Sequence, residues 1–174
     1  ALLEERIGLI RKKIRESSPH DVFILTNDLC DMLIYRAEVA QGEVVLDEME
    51  LALSEALLLM KFSEDKSKHR VLNITSKLAT HAALSDRKDD ALKYTEETIP
   101  LLRDLSGGFD SFRLGLTLLQ CGKLNVACKK KDRGVNQMVE GVAILTRLYG
   151  EGNKNVLRAQ EELDAISQSI WDSE

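Results

Sequence analysis

The chain has 174 residues, enough for one domain with a real core. Its 24 Lys and Arg against 29 Asp and Glu give a net charge of −5, which draws it to neither phosphate backbones nor anionic lipid, so nucleic acid and membrane are not expected partners. Aromatic residues make up 5% and Pro occurs twice; with abundant Leu, Ala, Glu, Lys and Arg this is the composition of long helices rather than of sandwiches or barrels.

The first predicted helix, residues 1–16, sets Leu2, Leu3, Ile7, Ile10 and Ile14 on one stripe, the spacing of a helix with one buried face. It stops at Ser17-Ser18-Pro19, where Ser18 caps and Pro19 enters the first turn of a second helix over 19–41, closed by Gly42. Further helices are predicted over 43–62, 66–84, 87–105, 110–130, 133–149 and 153–171. The breaks fall at 63–65, Ser85-Asp86, Gly107-Gly108, Lys131-Asp132 and Gly150 to Gly152. Eight helices joined by tight turns, with no strand-like alternation, imply consecutive antiparallel pairs in a single all-α domain over 1–174.

The pairs repeat with a period of 43. That shift superposes Met49, Leu92 and Val135; Ala56, Ile99 and Val142; Leu58, Leu101 and Ile144; Leu59, Leu102 and Leu145; and Phe62, Leu105 and Leu148. In the other helix type it aligns Val71, Leu114 and Leu157, and the small residues Ala79, Gly122 and Ala165, with Ala37 one period earlier after a single-residue slip. Twelve residues after Ala79 and Gly122 stand Ala91 and Gly134, again small, so that paired helices can approach closely.

A small residue late in a first helix, with another twelve positions on in the second, is similar to the tetratricopeptide (TPR) pattern. The 43-residue period resembles the long repeats of kinesin light chains, as does Leu148-Tyr149-Gly150-Glu151 and, in part, Leu105-Ser106-Gly107. The C-terminal helical region of SET and MYND lysine methyltransferases resembles the same repeats. The resemblance covers about Asp28 to Ile170, and departs from the pattern at Thr95, where a large aromatic is usual, and at Glu48 or Met49, where Ala is usual. It implies an alpha-alpha superhelix, a TPR-like solenoid, serving as a scaffold or adaptor for another protein. The alternative it implies is a regulatory region of such a methyltransferase. The start at Ala1 rather than Met points to a piece of a longer protein.

Stacked helix pairs need terminal elements with polar outer faces. The last helix supplies one, with Gln160, Asp164 and Gln168 where earlier repeats have Ile74, Leu78 and Ala82 or Thr117, Cys121 and Asn125. It is therefore expected to cap the solenoid, and self-association through the terminal helices is the expected mode of any homo-oligomer. First helices of such repeats line the concave side. In this register the groove presents Ile34 and Glu38; Asn73, Ser76 and Thr80; and Leu116, Leu119 and Lys123 as candidate partner-binding residues. Apolar anchors among amides and hydroxyls suit a docked peptide, with Asn73 able to pair with its backbone. Residues 110–130 are apolar nearly all round, so the competing expectation is that this helix is covered on its inner face too. Asn73, Lys77 and Lys123 supply only part of a carboxylate clamp.

No catalytic or cofactor site is expected. His20, His69 and His81 have no ligand partners at metal-binding spacing, and Gly122-Lys123-Leu124 follows no strand and is no phosphate loop. The run Lys129 to Lys131 with Arg133 is expected at a helix end, complementing its carbonyls. Cys30, Cys121 and Cys128, odd in number and without CxxC spacing, are expected as packed thiols of a reducing compartment. No apolar run reaches membrane length and no signal peptide opens the chain, so a cytoplasmic location is expected.

Overall fold

The computed structural model describes residues 2–16, 28–29, 32, 35, 50–51, 53–58 and 68–171, and all regular structure among them is helical. Its helices are α1 (Leu2–Glu16), α2 (Lys68–Leu84), α3 (Lys88–Leu105), α4 (Phe112–Ala127), α5 (Lys131–Tyr149) and α6 (Lys154–Trp171); residues 28–29, 32, 35, 50–51 and 53–58 are helical as well. The predicted features at 17–27, Cys30, Ile34, Ala37, Glu38, Gly42, Met49 and 59–67 lie outside the described residues.

Helix ends are set by local chemistry. Ser111, in extended backbone, accepts from the Leu114 N–H at 3.2 Å and starts α4, as capping hydroxyls do. At the other end of α4, Lys129 turns left-handed at φ 63°. The Lys129 N–H then donates to Val126 O and the Lys130 N–H to Asn125 O at 2.8 Å, the paired bonds of a Schellman ending. The expected break at Lys131-Asp132 is therefore wrong: the turn is 128–130, and Lys131 and Asp132 open α5. The basic run is divided accordingly, with Lys129 and Lys130 just past α4 and Lys131 and Arg133 in the first turn of α5.

The same ending closes α2, where Asp86 (φ 54°) donates to Ala83 O and Arg87 to Ala82 O, and α3, where Gly107 (φ 63°) donates to Asp104 O and Gly108 to Arg103 O. Asp86 and Lys129 are 43 positions apart, as are Gly107 and Gly150, all left-handed. The period found in the apolar columns thus recurs in the turns.

The chain divides into two compact units, 1–81 and 82–174, within α2. In the first, Ile7, Leu29, Leu53, Ala56, Leu57, Leu72, Ile74 and Leu78 are buried. Arg11 joins α1 to the 53–58 segment by two hydrogen bonds to the Glu55 carboxylate, a bidentate geometry that fixes orientation. His81 is buried with Nδ1 3.6 Å from Glu50 Oε2. The expected apolar columns fail here for one member: Leu58 is 56% exposed while Leu53, Ala56 and Leu57 are buried. The burial register of this helical segment runs one residue behind the 43 shift, the same slip seen at Ala37.

The second unit has two layers, α3 beside α5 and α4 beside α6. Helices α4 and α5 are antiparallel and touch at their backbones. A Cβ on Gly122 would lie 2.6 Å from Gly134 O, and one on Gly134 2.6 Å from Gly122 O; seven residues along each helix, a Cβ on Gly141 would lie 2.8 Å from Gly115 O. Glycines inside helices cost about 0.5–1 kcal/mol each. The notches they open receive Met138 against Gly122, Leu145 against Gly115 and Val126 against Gly134, and full burial of one such side chain contributes about 1.5–3 kcal/mol, so the packing wins. Leu119, Met138, Val142 and Leu145 continue into one core with Val156, Ala159 and Leu163 of α6.

Thr95 and Thr98 are buried on α3 at the positions of Met138 and Gly141. Their hydroxyls donate to Ala91 O and Thr95 O, each at 2.7 Å, so the small side chain replaces the usual aromatic without an unsatisfied polar group. Three ion pairs tie α3 and the turn after it to α5: Glu96–Arg133 at 2.8 Å, Arg103–Glu140 at 2.7 Å and Asp110–Arg147 at 2.6 Å. Each spans 37 positions in steps of seven, with the signs alternating, which favours this parallel register over its neighbours. Exposed pairs contribute little stability singly.

Helix α6 is the last helix among the described residues. Gln160, Asp164 and Gln168 are exposed as expected of a cap, and Gln160 Nε2 donates to Asp164 Oδ1 at 2.8 Å. Ala165, the small counterpart of Gly122, is exposed, since no helix follows α6 among the described residues. Arg158 stands where the period places Gly115, a side chain that would keep a second helix from approaching as α5 approaches α4.

Gly122→Ala should destabilise the domain by about 1–3 kcal/mol, because overpacking here meets backbone. Gly8→Ala, in open space on α1, should stabilise it by about 0.5–1 kcal/mol. Urea unfolding followed by circular dichroism distinguishes the two; equal effects would contradict the close crossing.

Candidate functional site

Between α4 and α6 runs a cleft of about 470 Å³ lined by Phe112, Leu116, Leu119, Gln120 and Lys123 from α4 and by Asn155, Arg158, Ala159 and Glu162 from α6. The α4 residues recur at helical spacing on one face, and so do those of α6. Three of the expected groove residues, Leu116, Leu119 and Lys123, therefore meet in one place. Leu116 is 42% exposed and Leu119 is buried beneath it. Among the described residues the apolar side chains of this helix divide between the core and the open cleft.

Asn73 and Thr80 are exposed on α2 and Ser76 is half-buried there, in the first unit. The Thr80 hydroxyl donates to Ser76 O at 3.0 Å. They form their own stripe on that helix, while Ile34 and Glu38 lie outside the described residues.

Charge in the cleft is concentrated at one end. Lys123 pairs directly with Glu162 Oε2, and Arg158 Nε lies 3.4 Å from Glu162 Oε1. The Lys123 hydrogen bond holds the Glu162 carboxyl below its usual 4.5, against a smaller upward push from burial and with help from Arg158. Two cations share one carboxylate, so this end keeps a small positive excess, and Lys123 is already engaged rather than free to clamp a terminal carboxylate. Gln120 and Asn155 present exposed side chains on the two walls.

At the other end the cleft opens onto an apolar lip. Phe112 meets Tyr149 edge to face, with centroids 5.6 Å apart and planes at 88°, a favoured aromatic geometry. Leu148 is exposed beside them in sequence, and Phe109 is 77% exposed on the Gly107-Gly108 turn. The sequence argument missed Phe112, Gln120, Asn155, Arg158, Ala159 and Glu162. The period alone would have found two of them, since 43 residues after Leu116 and Leu119 stand Ala159 and Glu162.

Among the described residues no group of three His, Cys, Asp or Glu could hold a metal ion, and no helix is long and apolar enough to cross a membrane. Burial pushes the Cys121 thiol up to about 11, and Cys128 is raised too, chiefly by burial and then by Asp89, so neither is an activated nucleophile.

No protein-family model matches the chain, and no curated protein matches it in sequence. In three dimensions it is similar to the crystal structure of BtubC (BKLC) from P. vanneervenii, with a TM-score of 0.65 and 20% identity over 99% of this chain and 68% of that one. That neighbour is a TPR-like protein. The likeness speaks for the fold: an all-α, TPR-like helical repeat.

The depressed Glu162 carboxyl fixes a pH dependence. Its ion pairs stabilise the fold above pH 4.5 and the contribution is lost as pH falls through the folded-state value. Glu162→Gln should therefore be less stable than wild type near pH 7, with the difference shrinking below pH 4.5. A gap that persists unchanged at pH 3.5 would contradict this.

Proposed function

We propose that this domain is a protein–protein interaction module, a scaffold or adaptor that holds a segment of a partner protein in the cleft between α4 and α6. It works without a catalytic site or cofactor and belongs in the cytoplasm. The observation that carries the proposal is the contrast between the layers of the second unit. The α3–α5 layer joins its helices through three alternating ion pairs, whereas the α4–α6 layer leaves Phe112 and Leu116 open beside exposed amides. Recognition sites commonly combine an apolar floor with a few polar groups in this way. The TPR-like fold favours a protein partner in general.

From Phe112 to Lys123 the cleft is about 16 Å long at the helical rise, room for about five extended residues. Apolar side chains of the partner would sit over Leu116, with its backbone in reach of Gln120 and Asn155. Asn73, Ser76 and Thr80 form a second exposed stripe for the same kind of contact.

The test is affinity capture with the domain against Leu116→Glu, followed by NMR titration of the captured segment as a synthetic peptide. Binding should weaken at least tenfold in the variant with helical content unchanged, and shifts should cluster at Phe112, Leu116, Gln120 and Asn155. Equal binding by the variant, or shifts confined to the α3–α5 layer, would refute this site.

A further inference from the structure

Three of the nine residues that line the α4–α6 cleft are charged: Lys123, Arg158 and Glu162. The two cations hold the carboxylate unequally. Lys123 contacts Glu162 Oε2 directly, and its hydrogen bond is the first cause of the lowered Glu162 carboxyl. Arg158 approaches the same carboxylate through Nε, 3.4 Å from Oε1, with its side chain 80% exposed. That separation is longer than an ordinary hydrogen bond. The order along α6 is also the weaker one, because a cation four positions before a carboxylate opposes the helix dipole.

A guanidinium carries five N–H donors in a planar fork that matches a carboxylate. A carboxylate set squarely on that fork makes two charge-assisted hydrogen bonds, where Glu162 makes one long contact. Exposed ion pairs contribute little, so Arg158 can exchange Glu162 for a better-placed acid while Glu162 stays on Lys123. With two cations to one carboxylate, the lining favours an incoming Asp or Glu over an incoming Lys or Arg.

We propose that Arg158 determines which segments the cleft accepts: its guanidinium takes an Asp or Glu side chain of the docked partner segment, and Glu162 holds that place when the cleft is empty. This rests on the reading of the cleft as a docking site. Leu116 and Lys123 are seven residues apart, about 10 Å along the helix. An extended segment covers that length in about three residues, which sets the expected distance between its apolar residue on Leu116 and its acidic one.

The test is selection of random displayed heptapeptides on the full chain, as wild type and as Leu116→Glu, Arg158→Lys and Glu162→Gln, with circular dichroism to confirm helical content. Heptapeptides retained by wild type and lost by Leu116→Glu should carry an apolar residue with Asp or Glu about three positions away. A synthetic copy of one should bind about tenfold more weakly to Arg158→Lys, which keeps the charge and loses the fork. It should bind about threefold more tightly to Glu162→Gln, which releases Arg158. Leu116-dependent heptapeptides with no acidic residue, or with Lys or Arg in its place, would overturn the role of Arg158 and leave the docking site standing. Equal binding by Arg158→Lys would do the same. Heptapeptides indifferent to Leu116→Glu, or no selection at all, would remove the docking site and this proposal with it.

Discussion

Backbone meets backbone where α4 crosses α5, and the rest of the second unit follows from that contact. With no side chain on Gly115, Gly122, Gly134 or Gly141, each helix lies in the other's groove and Met138 and Leu145 fill the notches. Those two residues are then positioned to pack on Val156, Ala159 and Leu163, which brings α6 alongside α4. The cleft is the space left between two helices held apart by a third beneath them. A single Cβ at Gly122 reaches the floor of that arrangement, because its nearest neighbours include a carbonyl oxygen rather than only the end of a flexible chain.

The two layers of the unit are chemically different. Alternating charges at steps of seven compensate one another along α3 and α5. Along the cleft between α4 and α6, Lys123, Arg158 and Glu162 compensate one another, and Phe112, Leu116 and Tyr149 are exposed. Apolar surface open in the middle and charge anchored at one end give the cleft a direction, and so a preferred orientation for whatever segment lies in it. The likeness to BtubC at 20% identity supports the helical repeat behind this geometry.

Much of this was legible from spacing. The 43-residue period appears in the left-handed residues Asp86 and Lys129 and again in Gly107 and Gly150, and the pairing of Gly122 with Gly134 follows from two small residues twelve apart. Part of what escaped had no echo one period away. The crossing of Gly115 and Gly141 is invisible to repeat alignment because Leu72, Thr98 and Arg158 stand at the corresponding positions. The ion pairs follow a spacing of 37, set by neighbouring α3 and α5 rather than by the repeat. Leu58 faces solvent because the first repeat slips by one residue, and a one-residue slip turns a helical side chain by about 100°. The α6 wall of the cleft was missed because its polarity marked the helix as a cap; α6 is polar on its outer face and lines the cleft with another.

The most direct measurement is a nuclear Overhauser experiment on the labelled protein. Glycines that meet across a backbone contact predict cross-peaks between the Hα protons of Gly122 and Gly134, and of Gly115 and Gly141. If neither pair gives a cross-peak while both helices are formed, α4 and α5 do not cross this closely, and the cleft built on that crossing is not there.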